Sequence, residues 1–450
     1  MASSKILNAD QERVFQRVLK DVYTKDKTKP LVLYVGGAAG TGKSELIRRL
    51  VQHLGYQHVI VCGSTAMASK NIDGVTAHSV LFLNPFSEEK DDEPLPPHPH
   101  LLLFIVDEIS MCDATLFRRI EKRLRQLMRK DVVFGGCTVL LFGDLLQIPP
   151  VSRITSGSCF DEDGINWIFK SSLWEKEVQY DELEIPMRQE NDPEFAEMLK
   201  RWRVGICTEE DREFLDSNAR KFTQEFTSDV VSEFEKYFKE DRSIMILAHT
   251  NPQVGGINKK ITHKLIKRSQ LFNVVKTTYT RRHKDAMSVQ KRQVMFQVGV
   301  GSRVQITRNV DRHFINGETG VITKIETINY NVVSLEIRLD SSNEPRPFPS
   351  TKTQIGGGPN SQSWTEEFSI HSAYAVTYHK AQGQTLDDVF LATYRDMPPA
   401  LFYVGASRVR TKEDLHILNW NAGDTIRADP EALDEYKRLR LSIGKTPLPL

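Results

Sequence analysis

The stretch "GGAAGTGKS", residues 36–44, separates Gly37 by four residues from a Gly42-Lys43-Ser44 triplet, the spacing of a phosphate-binding loop. Glycines let backbone N–H groups close on an anion, a lysine reaches terminal phosphate oxygens, and a hydroxyl joins the shell of a Mg²⁺ ion. The candidate phosphate contacts are therefore Gly37, Ala38, Ala39, Gly40, Thr41, Gly42, Lys43 and Ser44. "FIVDEIS", residues 104–110, ends an apolar run in two acids. Asp107 suits a metal shell, and Glu108 suits orienting and deprotonating a water. Acids commonly close strands, so this pair is weak by itself and gains meaning from the loop upstream. "FGDLLQIPPV", residues 142–151, adds Gln147, which is neither acid, base nor nucleophile. Gly143, Asp144, Pro149 and Pro150 already suffice for a turn, so Gln147 is surplus to it.

These residues need a scaffold that delivers strand ends to one place. "PLVLYVGG" (30–37) reads as a buried strand ending in glycines, and "SELIRRLVQHL" (44–54) as a helix with Leu46, Ile47, Leu50, Val51 and Leu54 inward. An earlier helix presents Val14, Phe15, Val18, Leu19 and Val22. Further short apolar strands, "HVIVCG", "LLLFIVD" and "CTVLLFGD", alternate with helical or loop segments, which implies an α/β fold with a parallel sheet. Gln11 has two readings: the far member of a capping box opened by Asn8, or an amide offered to an adenine edge. Residues 86–100 are acidic and then proline-rich, read as an exposed loop or small insertion, and residues 343–364 form a second flexible excursion. Between Val298 and Leu339 short alternating strands with an Asn316-Gly317 turn suggest a small β-barrel.

Composition excludes several classes. At 450 residues the chain has room for two to four domains. Lys plus Arg total 60 against 59 Asp plus Glu, so net charge alone names no partner. From Lys259 to Arg312, however, fourteen Lys or Arg face only Asp285 and Asp311, a block suited to phosphate contact or to a solvated face. Five scattered cysteines without a CxxC pair fit a reducing intracellular compartment and no zinc site. No apolar run approaches a membrane span, and the first residues show no secretory or mitochondrial leader pattern.

Taken in order, "GAAGTGKS", "GSTAMASKNIDGVTAHSV", "DEISMCDATLFRRIEKRLRQLMRKDVVFGG", "FGDLLQIPPV", "LEIPMRQ", "YAVTYHKAQGQTL" and "YVGASRVR" resemble the superfamily-one 5′-to-3′ DNA helicases, and within them the PIF (petite integration frequency) helicases, relatives of RecD-like enzymes. The resemblance runs from about Leu7 to about Leu418. It implies two tandem RecA-like P-loop motor domains with an SH3-like β insertion: motor 1 over 1–175, with a loop insertion at about 84–100; motor 2 over 176–295 and 366–450; and the insertion over 296–365.

Position by position, the resemblance makes Gln11 the adenine-reading glutamine, Gly383 a further nucleotide contact, and Lys43 and Ser44 the phosphate lysine and Mg²⁺ hydroxyl. Asp107 becomes the metal carboxylate, Glu108 the base, Gln147 the γ-phosphate sensor, and Arg188 and Arg408 arginines reaching in from motor 2. Thr65, His78 and Ser79 match the DNA-facing segment of motor 1, and Thr377, His379 and Lys380 that of motor 2. The implied cofactors are ATP and Mg²⁺; the implied partners are single-stranded, duplex or forked DNA, engaged by a monomeric motor. The expected location is the nucleus, then a mitochondrion or a viral or host replication site. Rival readings are a translocating ATPase with little unwinding or an RNA preference, and an ATP-gated DNA-binding scaffold. Ala406 and Gly405 depart from the family pattern next to Arg408, as do Tyr374 and Tyr378 beside the second DNA segment. Phe86 reads as a strand-separating wedge or as an apolar anchor beneath its loop.

Overall fold

A computed structural model describes residues 6–24, 26, 28–64, 68, 69, 72, 74–84, 91, 93–150, 166–220, 226–238, 244–282, 289–358, 361–421 and 423–446. Thr65 and Phe86 lie outside these residues.

The first sheet contains β1 (Val32–Gly37), β2 (Val59–Gly63), β3 (Val75–Thr76), β4 (Leu103–Asp107), β5 (Thr138–Gly143) and β6 (Val178–Leu183), all parallel, in the order β3-β2-β4-β5-β1-β6. Strands β1, β4 and β5 are buried along their whole length, as continuous apolar runs in a doubly covered parallel sheet must be. Helices Ala9–Val22 and Lys43–Leu54 cover one face. Val14, Val18, Leu19 and Val22 are buried as the periodicity predicts, and Phe15 is half-buried edge-on to His53. Helix Ala114–Met128, capped by Asp113, covers the other face.

Motor 2 is built on β7 (Ala219–Arg220), β8 (Ile244–Ala248), β18 (Ala375–Thr377), β19 (Asp388–Ala392) and β20 (Leu415–Leu418), again parallel, in the order β18-β8-β19-β20-β7. The two sheets form tandem RecA-like layers. Between β8 and β18 the chain leaves to build a third sheet from β9 (Phe272–Arg282), β10 (Val289–Val298), β11 (Arg303–Ile306), β12 (Thr319–Ile328), β13 (Asn331–Leu339), β14 (Pro345–Phe348), β15 (Thr351–Gly358), β16 (Ser361–Glu367) and β17 (Ile370–Ser372). This unit is antiparallel apart from one parallel bridge between β9 and β13.

Three boundaries differ from the sequence expectation. Strand β6, placed beyond residue 175 in motor 2, pairs with β1 over six positions and belongs to motor 1. The antiparallel unit spans 272–372 rather than 296–365, because β9 pairs with β10 and β16. The C-terminal helix Pro430–Ser442, expected in motor 2, packs Ala432, Tyr436 and Leu439 into the motor 1 core. The loop read as exposed is so at Glu93, Pro94, Pro96, Pro97, Pro99 and His100, but it is anchored: Asp91 and Leu95 are buried, and Arg123 donates to the carbonyls of Leu81, Asp91 and Glu93. Burying those carbonyls requires donors, and an arginine on the covering helix meets that requirement.

Candidate active site

The phosphate loop bridges β1 and helix Lys43–Leu54. Gly40 and Gly42 adopt left-handed φ of +83° and +81°, a region that disfavours side chains. A Cβ on Gly42 would also lie 2.4 Å from the Gln11 amide nitrogen. The helix begins without a side-chain cap, so its first N–H groups face the loop and favour an anion. Lys43 Nζ donates to the carbonyls of Gly37 and Ala38 at 2.9 and 3.0 Å. Burial lowers its pKa, against the raising influence of Glu108, Asp144 and Asp107.

A cavity of about 330 Å³ opens in front of this loop. It is lined by Ala39, Gly40, Thr41, Gly42, Lys43, Ser44, Glu45 and Arg48 from the loop and its helix, by Asp107, Glu108 and Gln147 from strand ends, and by Met187, Arg188, Gly383, Thr385, Arg408 and Arg410. The structure thus gathers every expected nucleotide and catalytic residue except Gln11, Gly37 and Ala38 into one wall. Gln11 completes the capping box, its Oε1 accepting from Asn8 N at 3.0 Å, while Nε2 donates to Gly42 O at 3.1 Å. The cap reading therefore describes its bonding here, and its amide braces the loop from behind.

Asp107 and Glu108 meet at the end of β4. Burial first, and the neighbouring Glu108 second, push the Asp107 carboxyl up to about 7, opposed by Lys43. Two adjacent carboxylates with a nearby hydroxyl, Ser44, are the donor set that a divalent cation relieves. Glu108 itself sits at φ 54°, a strained conformation for a non-glycine residue; its carbonyl accepts from Ser64 Oγ at 2.9 Å.

Gln147 is 2% exposed. Its N–H donates to Asp144 O at 3.0 Å, and its Nε2 reaches Asp144 Oδ2 at the outer limit of 3.5 Å. Its Oε1 has no hydrogen-bond partner among the described residues. An orphaned acceptor costs free energy, and here it belongs to a residue on the cavity wall.

From motor 2, Arg408 donates to Val404 O at 2.7 Å and Ser407 Oγ at 2.6 Å, and Arg188 to Ser407 O at 2.7 Å. Neither forms an ion pair among the described residues. Burial, and then Arg408, lower the Arg188 pKa to about 9; burial lowers that of Arg408. A buried and a half-buried cation with no ion-pair partner among the described residues are electrostatically poised for an anion.

Three linking residues escaped the sequence reading. Asp144 accepts from Arg203 Nε and Nη2, the latter at 2.8 Å, and from Tyr403 OH at 3.2 Å. Tyr403 OH in turn accepts from Ala39 N at 3.1 Å, so one hydroxyl ties helix Leu401–Ala406, just ahead of Arg408, to the phosphate loop. Gln382 Nε2 donates to Glu108 Oε2 at 3.3 Å and to Ser110 Oγ at 3.1 Å. "GDLLQ", "YVGASR" and "HKAQG" marked the segments, but no local pattern names a partner.

The expected DNA-facing residues lie away from this cavity. His78 and Ser79 sit on the short helix after β3, where Ser79 Oγ contacts Thr76 Oγ1 at 2.8 Å. Thr377 ends β18, and His379 and Lys380 occupy the following turn. Lys380 Nζ lies 2.8 Å from His371 Nε2. It borders a larger cavity of about 600 Å³ between helix Asn251–Leu265 and β10, with Lys259, Asn273, Phe296 and His371 in its wall.

Residues 6–213 match a family model described as PIF1-like helicase. That stretch, under half of the chain, is similar to PIF1-like helicases. The chain is 27% identical over 424 residues to the ATP-dependent DNA helicase PIF1 of Danio rerio, covering 91% of this chain and 61% of that protein. To the ATP-dependent DNA helicase Pif1 of Bdellovibrio bacteriovorus it is 24% identical, covering 90% and 88%. The chain therefore spans about three-fifths of the Danio relative and nearly all of the bacterial one. The fold matches a crystal structure of Pif1 helicase from Bacteroides in complex with ADP-AlF3 and ssDNA, with TM-score 0.74, 23% identity and 98% of each chain covered. It also matches Pif1 helicase from Candida albicans, with TM-score 0.71, 22% identity and coverage of 97% and 100%. This likeness of fold extends beyond residue 213 to the second parallel sheet. No described helix is long and apolar enough to cross a membrane.

Proposed function

We propose that this chain is an ATP-driven DNA helicase that moves 5′ to 3′ on single-stranded DNA and separates duplexes. The observation that carries the reading is the joint cavity: Lys43, Asp107 and Glu108 of motor 1 share it with Arg188 and Arg408, which lie beyond β6. Phosphoryl transfer depends on positioning and charge, and an arginine supplied from a second domain contributes roughly a 10³ to 10⁵ rate factor. Hydrolysis at such a site requires the motors to be closed, and release of the product lets them part.

In this reading Lys43 and the loop N–H groups bind the phosphates, Gln147 donates an amide N–H to the γ-phosphate while its free carbonyl accepts from the attacking water, and Glu108 takes a proton from that water. Ser44 and Asp107 would hold Mg²⁺, which supplies charge stabilisation to the transferred group. Gln11, through Gly42, braces the loop near the base, and Gly383 closes the far wall. His78 and Ser79 with Thr377, His379 and Lys380 form the DNA track, joined by Lys291 and Arg292 of the antiparallel unit, which form no ion pair among the described residues; we take the inner strands of that unit to be its SH3-like part. The names of the relatives support ATP and DNA as the substrates; polarity rests on the family resemblance. The chain acts as a monomeric motor in a reducing intracellular compartment.

Lys43→Ala tests the assignment. It is expected to abolish ATP turnover while retaining part of the DNA affinity, and normal turnover in that variant would remove the nucleotide site from Lys43.

A further inference from the structure

One buried glutamine joins the nucleotide cavity to the DNA-side segment. Gln382 closes the short helix Tyr378–Ala381, two residues after Lys380 and one before Gly383, and is 6% exposed. Its amide nitrogen crosses to motor 1, donating to Glu108 Oε2 at 3.3 Å and Ser110 Oγ at 3.1 Å. Its Oε1 has no partner among the described residues.

Both ends of this link are stiff. Gln382 N donates to His379 O at 3.4 Å, and Gln384 Nε2 donates to Lys380 O at 2.7 Å, so the amide moves with the turn that carries His379 and Lys380. On the other side, the Glu108 backbone carbonyl is held by Ser64, which leaves mainly its side-chain torsions free. An amide has no charge to gain or lose, so any message it passes is geometric. At 3.3 Å the contact is near the long end of the hydrogen-bond range, where a small displacement of the turn changes it most.

We propose that Gln382 is a positioning residue that transmits DNA occupancy of the His379–Lys380 turn to the Glu108 carboxylate, setting the orientation in which Glu108 activates water. This rests on the reading of Glu108 as the base and of residues 377–380 as a DNA contact. It explains how turnover can be geared to DNA without a DNA atom entering the nucleotide cavity.

Gln382→Met keeps the length of the side chain and removes the donor. ATP turnover is measured without DNA and at saturating oligothymidylate, alongside ATP KM and oligothymidylate affinity by fluorescence anisotropy. The expected result is a DNA-saturated kcat lower by about 10²-fold, the scale of a general-base contribution, with a smaller loss without DNA and with both affinities within about twofold, since no phosphate contact is removed. In a Glu108→Gln background the same substitution is expected to add nothing, whereas a misfolded protein would lose activity in either background. Equal losses with and without DNA, or a further loss on top of Glu108→Gln, would overturn the relay alone. A wild-type chain whose ATP turnover ignores oligothymidylate would overturn the DNA-motor reading and the relay with it.

Discussion

Gln147→Ala separates stability from function. The substitution removes one methylene, worth about 0.8 kcal/mol of burial, and a hydrogen bond to Asp144 at 3.5 Å, close to the limit of usefulness. Against this, it removes a buried carbonyl without a partner, whose desolvation costs about 1–3 kcal/mol, and frees a side chain whose ordering costs about 1.5–2 kcal/mol. The variant should therefore match the wild type in stability to within about 1 kcal/mol, or exceed it. Function should respond differently. Losing one preorganised donor aimed at developing charge costs up to about 10²- to 10³-fold in turnover. Because Gln147 shares Asp144 with Arg203 and Tyr403 of motor 2, duplex separation should fall by more than turnover. ATP affinity should change least, since Lys43 and the loop remain. Urea unfolding followed by tryptophan emission, ATP turnover with oligothymidylate, and strand separation per ATP give the four numbers. Proportional losses in affinity, turnover and unwinding, or a stability loss above about 2 kcal/mol, would refute this account of Gln147.

Arg203→Met should cost about 3–5 kcal/mol, because it strands a buried carboxylate, Asp144, whose partner is equally buried; a loss below about 1 kcal/mol would class the pair with surface bridges. Burial raises the Asp144 pKa, but Arg203 and its hydrogen bonds, with Lys43, hold it below the ordinary carboxylate value. Its stabilisation is thus present above the unfolded pKa of 3.8 and is lost as pH falls through the lower folded value. Without Arg203, burial dominates and the sign inverts, so the deficit of the variant should narrow on acidification; a deficit independent of pH would contradict this. In the basic block, Lys264, Lys276 and Arg303 pair with Glu235, Glu367 and Asp340, while Lys259, Lys291 and Arg292 form no ion pair among the described residues. Charge reversal at Lys259 or Lys291 should reduce the salt slope of single-stranded DNA binding by about 0.7 each, and an unaltered slope would return them to a solvated face.

What could be read from the sequence was what lies close together along the chain. The phosphate loop, its lysine and the helix stripe of Leu46, Ile47, Leu50, Val51 and Leu54 are contiguous, and backbone geometry links their spacing to their placement. The links between motors are of another kind. Gln382 and Glu108 are 274 residues apart, and Tyr403 and Ala39 are 364 apart; residue type marks the Gln, Glu and Tyr side chains as polar, and only the fold shows what they meet. Helix Pro430–Ser442 has an apolar face, but periodicity does not say which of two cores receives it. Strands β9 and β10 were missed because a basic, threonine-rich hairpin resembles a solvated face, although the Val, Thr and Tyr content of "FNVVKTTYTRR" was a strand signal. Gln11 shows a local rule prevailing: the Asn8 capping box forms, and the amide still reaches the phosphate loop.

In the proposed function, ATP hydrolysis in the joint cavity drives directional strand separation. This is tested most directly by unwinding of a duplex carrying either a 5′ or a 3′ single-stranded tail, with ATP and Mg²⁺, by the wild type and by Lys43→Ala. The wild type is expected to separate the 5′-tailed substrate in an ATP-dependent manner, and the variant to separate neither. ATP-dependent unwinding that survives in Lys43→Ala, or no separation of either substrate by the wild type, would contradict it.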